Sequence, residues 1–378
     1  MKGLCVYVEG GKGHFVPAKA VMEAMEKLSV EMQIEEFFDY LDIRWMGRIN
    51  RKYWRLMLRF PFLERKLSKH NDANSNGMEM AINFAKKHCE RMLRANLDEY
   101  RPDFIFATHP YASTILSAML KDMKIDIPVY YFATDVFSAP VAAISDDIRK
   151  FFIATEDGAE CVRKMGQRKE TIEICPFPIQ SSISEHQIQS KKEAREKLGL
   201  DKELFTLQLN LGGEGIGSLY LFRKLLAEDV PMQMIVLGGI DKKMTRELEQ
   251  IVKANKKSPV KVYIKGFVNN VNDYLAASDI IAGRAGINTI VEAIYARRPF
   301  LITELVYTVI PSARFVEKYH VGWDCSEDKE KQVKTVLYYA KNNDELVALD
   351  ENFSNVPIKY GAERLAKLII EDVDLIHS

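Results

Sequence analysis

The stretch Ile280-Ile281-Ala282-Gly283-Arg284-Ala285-Gly286-Ile287-Asn288-Thr289-Ile290-Val291-Glu292 decides how this chain is read. Its first residues are apolar and uncharged, as a strand buried on both faces requires. Gly283 and Gly286 then turn the backbone into the helix that carries Glu292. Strand, glycine turn and helix in that order are the unit of a parallel α/β sheet. The first amides of such a helix have no partner within it and favour an anion, so they suit phosphate oxygens together with the Asn288 and Thr289 side chains. Glu292, one turn further on, suits the hydroxyl pair of a ribose. The bland reading of Glu292 is an ordinary first-turn glutamate on the helix dipole; three glycine sites arranged alike favour the ligand reading.

Working outward, the same arrangement occurs twice more. Phe205 to Leu211 reads as a strand that ends in Gly212-Gly213-Glu214-Gly215-Ile216-Gly217, more glycine than a turn needs. Such a loop offers several amide donors to a diphosphate. At the start of the chain, Leu4 to Val8 runs into Glu9-Gly10-Gly11-Lys12-Gly13-His14 and then a helix from about Pro17 to Leu28. Gly11 and Gly13 allow close approach to a ligand. The spacing is neither a P-loop nor a full dinucleotide fingerprint. A lone histidine at a helix start is as often structural as functional; the place of His14 at the end of the first strand favours function.

Further strands are expected at Met32 to Phe38, Asp103 to Thr108, Val129 to Thr134, Lys150 to Ala154, Met232 to Leu237, Val260 to Ile264 and Phe300 to Thr303. A long helix is expected over 78–99, after a polar link from His70 to Gly77. The polar run Ser181 to Ser190 reads as an interdomain linker. The expected organisation is therefore an amino-terminal domain over 1–180, a nucleotide-binding domain over 191–355 and a terminal helix over 356–378 that packs back on the first domain. Both domains are read as doubly wound and Rossmann-like, facing a central cleft, because the glycine clusters fall where such sheets bind ligands.

Composition narrows the class. The 378 residues contain 53 Lys plus Arg and 53 Asp plus Glu, so overall charge points to no polyanionic partner, and nucleic acid is not expected. Five scattered cysteines form no CxxC pair, which reads as reduced thiols in a cytosolic protein without structural zinc. Met1-Lys2 leads directly into a strand with no secretory leader expected, and no run is apolar enough to span a bilayer. The only Asp-x-Asp, Asp372-Val373-Asp374, falls in the terminal helix, where a solvated face is expected rather than a metal site.

Residues 44–70 stand apart. Arg44, Arg48, Arg51, Lys52, Arg55, Arg59, Arg65, Lys66 and Lys69 are opposed after Asp42 by Glu64 alone. Trp45, Trp54, Tyr53, Phe60 and Phe62 are interleaved with aliphatics among them. A basic helix with an aromatic and aliphatic face suits an anionic membrane surface; the bland reading is a core helix with a solvated basic side.

The segment Gly266-Phe267-Val268-Asn269-Asn270-Val271-Asn272-Asp273-Tyr274 through Asp279, followed by the stretch quoted first, resembles the donor-binding signature of family 28 glycosyltransferases. That family has the GT-B architecture and includes monogalactosyldiacylglycerol synthases and bacterial diacylglycerol glucosyltransferases. Gly10 to Ala18, Thr108-His109-Pro110 and Phe132-Ala133-Thr134-Asp135 resemble the diacylglycerol branch. The resemblance implies inverting transfer of a hexose from UDP-glucose or UDP-galactose, with no bound cofactor and no metal at the diphosphate. Phe267 and Val268 would face uracil, Glu292 the ribose, and Gly213, Asn288 and Thr289 the diphosphate, with Gly212 and Gly286 counted in the same donor site. His14 or Asp135 would be the base. A lipid hydroxyl is the implied acceptor, with His109 on its side of the site and Trp45, Arg51, Trp54, Arg55 and Arg59 meeting the membrane from the cytoplasmic face. The chain differs from the branch after Asp135, where the usual histidine is absent, and after the last strand, where Glu304-Leu305-Val306 stands in place of a glutamine motif. Glu304 is assigned to the donor sugar in its stead. A UDP-sugar epimerase of the same fold, a transferase with a non-lipid acceptor and a catalytically silent binding protein remain as alternatives.

Overall fold

In the computed structural model the chain is described over residues 1–9, 13–72, 76–180, 183, 189–212 and 218–377. It divides into two compact units, residues 1–184 with 357–378, and residues 185–356.

The first unit is built on strands β1 (Lys2–Tyr7), β2 (Glu31–Glu36), β3 (Phe104–Ala107), β4 (Val129–Phe132), β5 (Lys150–Ile153) and β6 (Ile172–Ile174), all parallel, in the order β2-β1-β3-β4-β5-β6. Strands β3 and β4 are buried at every residue, which explains their unbroken apolar sequence. Helices α1 (Phe15–Lys27), α5 (Asn76–Tyr100), α6 (Pro110–Asp122) and α7 (Glu156–Lys164) belong to this unit. One core gathers Leu4, Val6, Phe37, Leu93, Ile105, Leu116 and Met119 beneath α5 and α6. The chain crosses from β1 to β2 on one side and from β2 to β3 on the other. The switch point of this sheet therefore lies between β1 and β3, the place where open α/β sheets receive ligands.

The second unit repeats the plan with β7 (Thr206–Asn210), β8 (Met232–Leu237), β9 (Val260–Gly266), β10 (Ile280–Arg284), β11 (Phe300–Glu304) and β12 (Gly322–Asp324). These are again parallel, in the order β12-β11-β10-β7-β8-β9, which sets the switch point between β7 and β10. The helices of this unit are α8 (Lys191–Lys197), α9 (Leu219–Leu226), α10 (Lys242–Ala254), α11 (Val271–Ala277), α12 (Ile287–Tyr295), α13 (Ile310–Lys318), α14 (Lys329–Lys341) and α15 (Asp350–Ser354). A buried ion pair fixes its base: Asp279 accepts from Arg195 at 2.6 Å, from Lys191 at 2.7 Å and from the Thr206 amide at 2.8 Å.

Helix α16 (Ala362–His377) buries Leu365, Ala366, Ile369 and Val373, lies against α1 and belongs to the first unit. Here the expectation of a solvated face fails for Asp372. Its carboxylate accepts from Tyr130 Oη at 2.7 Å and takes two bonds from Arg149, at 2.8 and 3.1 Å. The strand expected over Met32 to Phe38 stops at Glu36. The Glu36 carboxylate accepts from the Phe38 and Asp39 amides and so caps the short helix α2 (Phe37–Tyr40).

Residues 44–70 form two helices, α3 (Arg44–Arg59) and α4 (Pro61–Asp72). The link expected over 70–77 is helical where it is described, because α4 runs to Asp72 and α5 begins at Asn76. Of the expected interdomain linker, residues 181–182 and 184–188 lie outside the described residues.

Candidate active site

In the first unit, β1 and β3 deliver their carboxyl ends side by side, and the chemistry-bearing residues follow directly. Thr108 and His109 succeed β3, and His14 opens α1. The Thr108 carbonyl lies 2.6 Å from His14 Nδ1, and the Thr108 hydroxyl donates to the His14 carbonyl at 2.9 Å. A carbonyl can only accept, so Nδ1 carries the proton and Nε2 is left with its lone pair. The Thr134 hydroxyl stands 3.5 Å from the same Nδ1. Burial pushes the His14 imidazole down to about 4, against the pull of the Thr108 carbonyl, so the ring is neutral at neutral pH.

His109 is the N-cap of α6, and its Nδ1 accepts the Tyr111 amide at 3.1 Å. Its ring meets that of His14 edge to face, with centroids 4.5 Å apart. Burial, and then the charge His14 would carry, holds His109 well below the ordinary histidine range. Asp135 follows Thr134 at the end of β4 and is half-buried. Gly13 has open space where a side chain would start. Gly11 lies outside the described residues.

The basic, aromatic segment lies close by. Arg51 of α3 donates to Glu9 at 2.8 Å, and the Glu9 amide donates to the Glu36 carboxylate at 3.1 Å, so α3 is tied to the residue that precedes the glycine-rich stretch of the sequence. Burial, and then the charges of Glu64 and Tyr111, push the Tyr53 hydroxyl of α3 above its usual range, which puts Tyr53 in the neighbourhood of Tyr111. Along α3 and its C-cap Phe60, the residues Trp45, Ile49, Tyr53, Leu56 and Phe60 recur at helical spacing and are all exposed, continued by Phe62, 84% exposed, in α4. Arg44, Arg48, Lys52, Arg55 and Arg59 are exposed beside that row. The sequence places Trp54 and Arg51 on the same surface. Helical geometry turns Trp54 to the opposite, half-buried side, and Arg51 is engaged by Glu9.

In the second unit the glycine turns meet backbone to backbone. Gly212 (φ +72°) accepts from the Gly239 amide at 2.8 Å, and Gly238 donates to the Gly266 carbonyl at 3.1 Å. A Cβ on Gly238 (φ +121°) would fall 2.7 Å from the Gly212 carbonyl oxygen, so only glycine fits there. Gly213 lies outside the described residues. Across the switch point, Gly286 begins α12 without a side-chain cap. The Asn210 amide approaches Thr289 Oγ1 at 3.5 Å and its carbonyl accepts from Gly212, linking the turn after β7 to the first turn of α12. Asn288 sits in that first turn, and Glu292 one turn on.

Burial lifts the Glu292 carboxyl to about 7, and among the described residues its carboxylate has no hydrogen-bond partner. Phe267, 66% exposed, stands at the end of β9, whereas Val268 packs partly into the core beside Tyr274. Glu304, at the end of β11, is held by Arg284 at the end of β10 (2.8 Å). That ion pair was not foreseen: only the adjacent parallel register of β10 and β11 brings the two together. Among the described residues no group of three or more His, Cys, Asp or Glu is placed to hold a metal ion, and no helix is long and apolar enough to cross a membrane.

Residues 14–179 match the family described as monogalactosyldiacylglycerol (MGDG) synthase. The chain is 27% identical over 226 residues to a probable MGDG synthase of Glycine max, covering 57% of this chain and 42% of that protein. It is 21% identical over 272 residues to the processive diacylglycerol beta-glucosyltransferase of Staphylococcus aureus, covering 72% and 68%. The chain spans about half the length of the plant relatives it matches. Among solved structures, Acinetobacter baumannii MurG superimposes with a TM-score of 0.65 at 13% identity, over 98% of this chain and 99% of that one. Anabaena HepE, solved with UDP and glucose, superimposes with a TM-score of 0.61 at 13% identity, over 99% of both chains. The chain thus has the GT-B fold and is related to the MGDG synthases and bacterial diacylglycerol glucosyltransferases, as the resemblance in its sequence implied.

Proposed function

We propose that this chain is an inverting glycosyltransferase that moves a hexose from a UDP-sugar to the hydroxyl of diacylglycerol or a related glycolipid, at the surface of an anionic membrane. One observation carries the reading: His14, at the switch point of the first sheet, has its Nδ1 proton committed to the Thr108 carbonyl and its Nε2 bare. A neutral imidazole so held is a general base that needs no prior deprotonation. The names of the relatives, plant MGDG synthases and a bacterial diacylglycerol glucosyltransferase, supply the acceptor class.

In the proposed step, His14 Nε2 takes the proton of the acceptor hydroxyl as its oxygen bonds to the anomeric carbon. The bond from that carbon to the β-phosphate oxygen breaks, and the electron pair leaves with UDP. A single displacement of this kind inverts the anomeric centre. The Thr108 carbonyl steadies the imidazolium as it forms, the orienting role that a carboxylate plays in a catalytic triad. Asp135, beside Thr134, is the second candidate for the base. The opening amides of α12 with Asn288, Thr289, Gly212 and Gly286 hold the diphosphate and stabilise the departing charge. Glu292 accepts from the ribose hydroxyls, and Phe267 with Val268 lies against the uracil. Glu304, aligned by Arg284, accepts from a hydroxyl of the donor sugar. The exposed aromatic row of α3 and α4, with the basic residues beside it, rests on anionic headgroups at the cytoplasmic face and brings the acceptor beside His14.

The test is incubation of the protein with UDP-glucose, UDP-galactose or UDP-N-acetylglucosamine over vesicles that contain diacylglycerol. A glycolipid is expected, and His14→Ala lowers turnover by about a hundredfold or more while UDP affinity holds. A new nucleotide sugar formed without acceptor would instead identify an epimerase, and UDP binding with no turnover would identify a silent relative.

A further inference from the structure

We propose that His109 is a second catalytic residue, whose Nε2–H donates to the same acceptor hydroxyl that His14 deprotonates. This rests on the transferase reading above and deepens it. The observation is a complementary pair of tautomers. His109 Nδ1 accepts the Tyr111 amide, so that nitrogen has no proton and the neutral ring carries its one proton on Nε2. His14 is the reverse, with the proton on Nδ1 against the Thr108 carbonyl and a bare Nε2. The two rings touch edge to face, and each is largely buried with part of its surface still exposed.

In the proposal the two Nε2 atoms of this touching pair meet one acceptor position, one as a fixed N–H donor and the other as a fixed acceptor, and a hydroxyl is the group that matches both. It gives its proton to His14 Nε2 and receives the His109 N–H on a lone pair. The remaining lone pair is then directed at the electrophile. In the reaction the proton ends on His14, the His109 proton stays where it is, and the oxygen keeps both hydrogen bonds until the new glycosidic bond forms.

The residue type supports this. Helix N-caps favour Ser, Thr, Asp and Asn, whose oxygens would bind the Tyr111 amide equally well. Pro110 at the first helical position makes α6 an ordinary helix start that requires no imidazole. What histidine adds to the cap is an N–H at the far side of the ring.

The experiment uses the full chain, its preferred UDP-sugar and diacylglycerol vesicles. His109→Ser and His109→Asp keep a capping oxygen and remove the donor; His109→Asn keeps the cap and carries an amide N–H. The Ser and Asp variants are expected to melt within a few degrees of wild type and bind UDP unchanged, yet lose about a hundredfold in kcat. The Asn variant is expected to recover about tenfold of that loss. A Ser variant with wild-type kcat, or Asn and Ser variants equally slow, would reduce His109 to a helix cap and overturn the proposal while leaving the transferase reading in place. A wild-type chain that makes no glycolipid from any donor would overturn both.

Discussion

Glu292 offers the sharpest quantitative test of the donor site. Its carboxyl is lifted by burial from 4.5 to about 7, with no partner among the described residues to stabilise the charged form. The sign follows from linkage. A carboxyl raised in the folded state contributes stability that is present below pH 4.5 and lost as pH climbs through 7. At pH 8 the unliganded chain therefore bears a cost of about 3 kcal/mol at this side chain. A ribose diol that donates to the carboxylate removes that cost, so UDP should bind best to the charged form. If binding restores an ordinary carboxyl, affinity falls roughly fiftyfold to a hundredfold between pH 8 and pH 5. Glu292→Gln abolishes this slope, weakens UDP at pH 8, and raises the melting temperature of the unliganded protein there. The assay is titration calorimetry of UDP on both proteins at pH 5, 6, 7 and 8. The ratio of the two affinities cancels the titration of the phosphate itself. A ratio flat across that range, or a Gln variant that binds UDP as wild type does, would refute the assignment of Glu292 to the ribose.

Two further predictions concern the membrane helix and the base of the second unit. Replacing Arg48, Lys52 and Arg59 together by Gln should weaken sedimentation with anionic vesicles by about a hundredfold, at roughly 1 kcal/mol per basic residue, and leave binding to zwitterionic vesicles unchanged; equal sedimentation with anionic vesicles would return α3 to a merely solvated basic face. Asp279→Ala strands the Arg195 guanidinium, 4% exposed, without its carboxylate. It should destabilise the second unit by about 3–5 kcal/mol in urea unfolding, and a loss below 1 kcal/mol would show that the pair is dispensable.

The fold was legible because parallel strands buried on both faces must be apolar and must end where glycine can turn. The strands β1, β7, β8 and β10 announce themselves in this way and β3, β4 and β11 by their apolar runs alone, whereas the switch points follow from the order in which the structure pairs them. The edge strands β6 and β12 were missed, since three residues apiece leave no period to read. What sequence could not supply is distance across the fold. The tautomer of His14 is set by a carbonyl 94 residues away, and Asp372 is locked by partners 242 and 223 residues distant. Asp279 lies within the segment that suggested donor binding, yet its three partners make it a structural anchor rather than a ligand.

The segment 44–70 shows the same limit from the other side. Composition marked it as basic and aromatic but could not say which residues share a face. The buried contacts of Gly47, Met57 and Leu58 fix the rotation of α3, and that rotation sends Trp54 inward and Trp45, Ile49, Leu56 and Phe60 outward. The same rotation aims Arg51 at Glu9, whose amide is held by the carboxylate that caps α2. An exposed ion pair of this kind contributes little stability, on the order of 1 kcal/mol or less. Its consequence is positional: the helix proposed to meet lipid is anchored at Glu9, five residues before His14 in the chain.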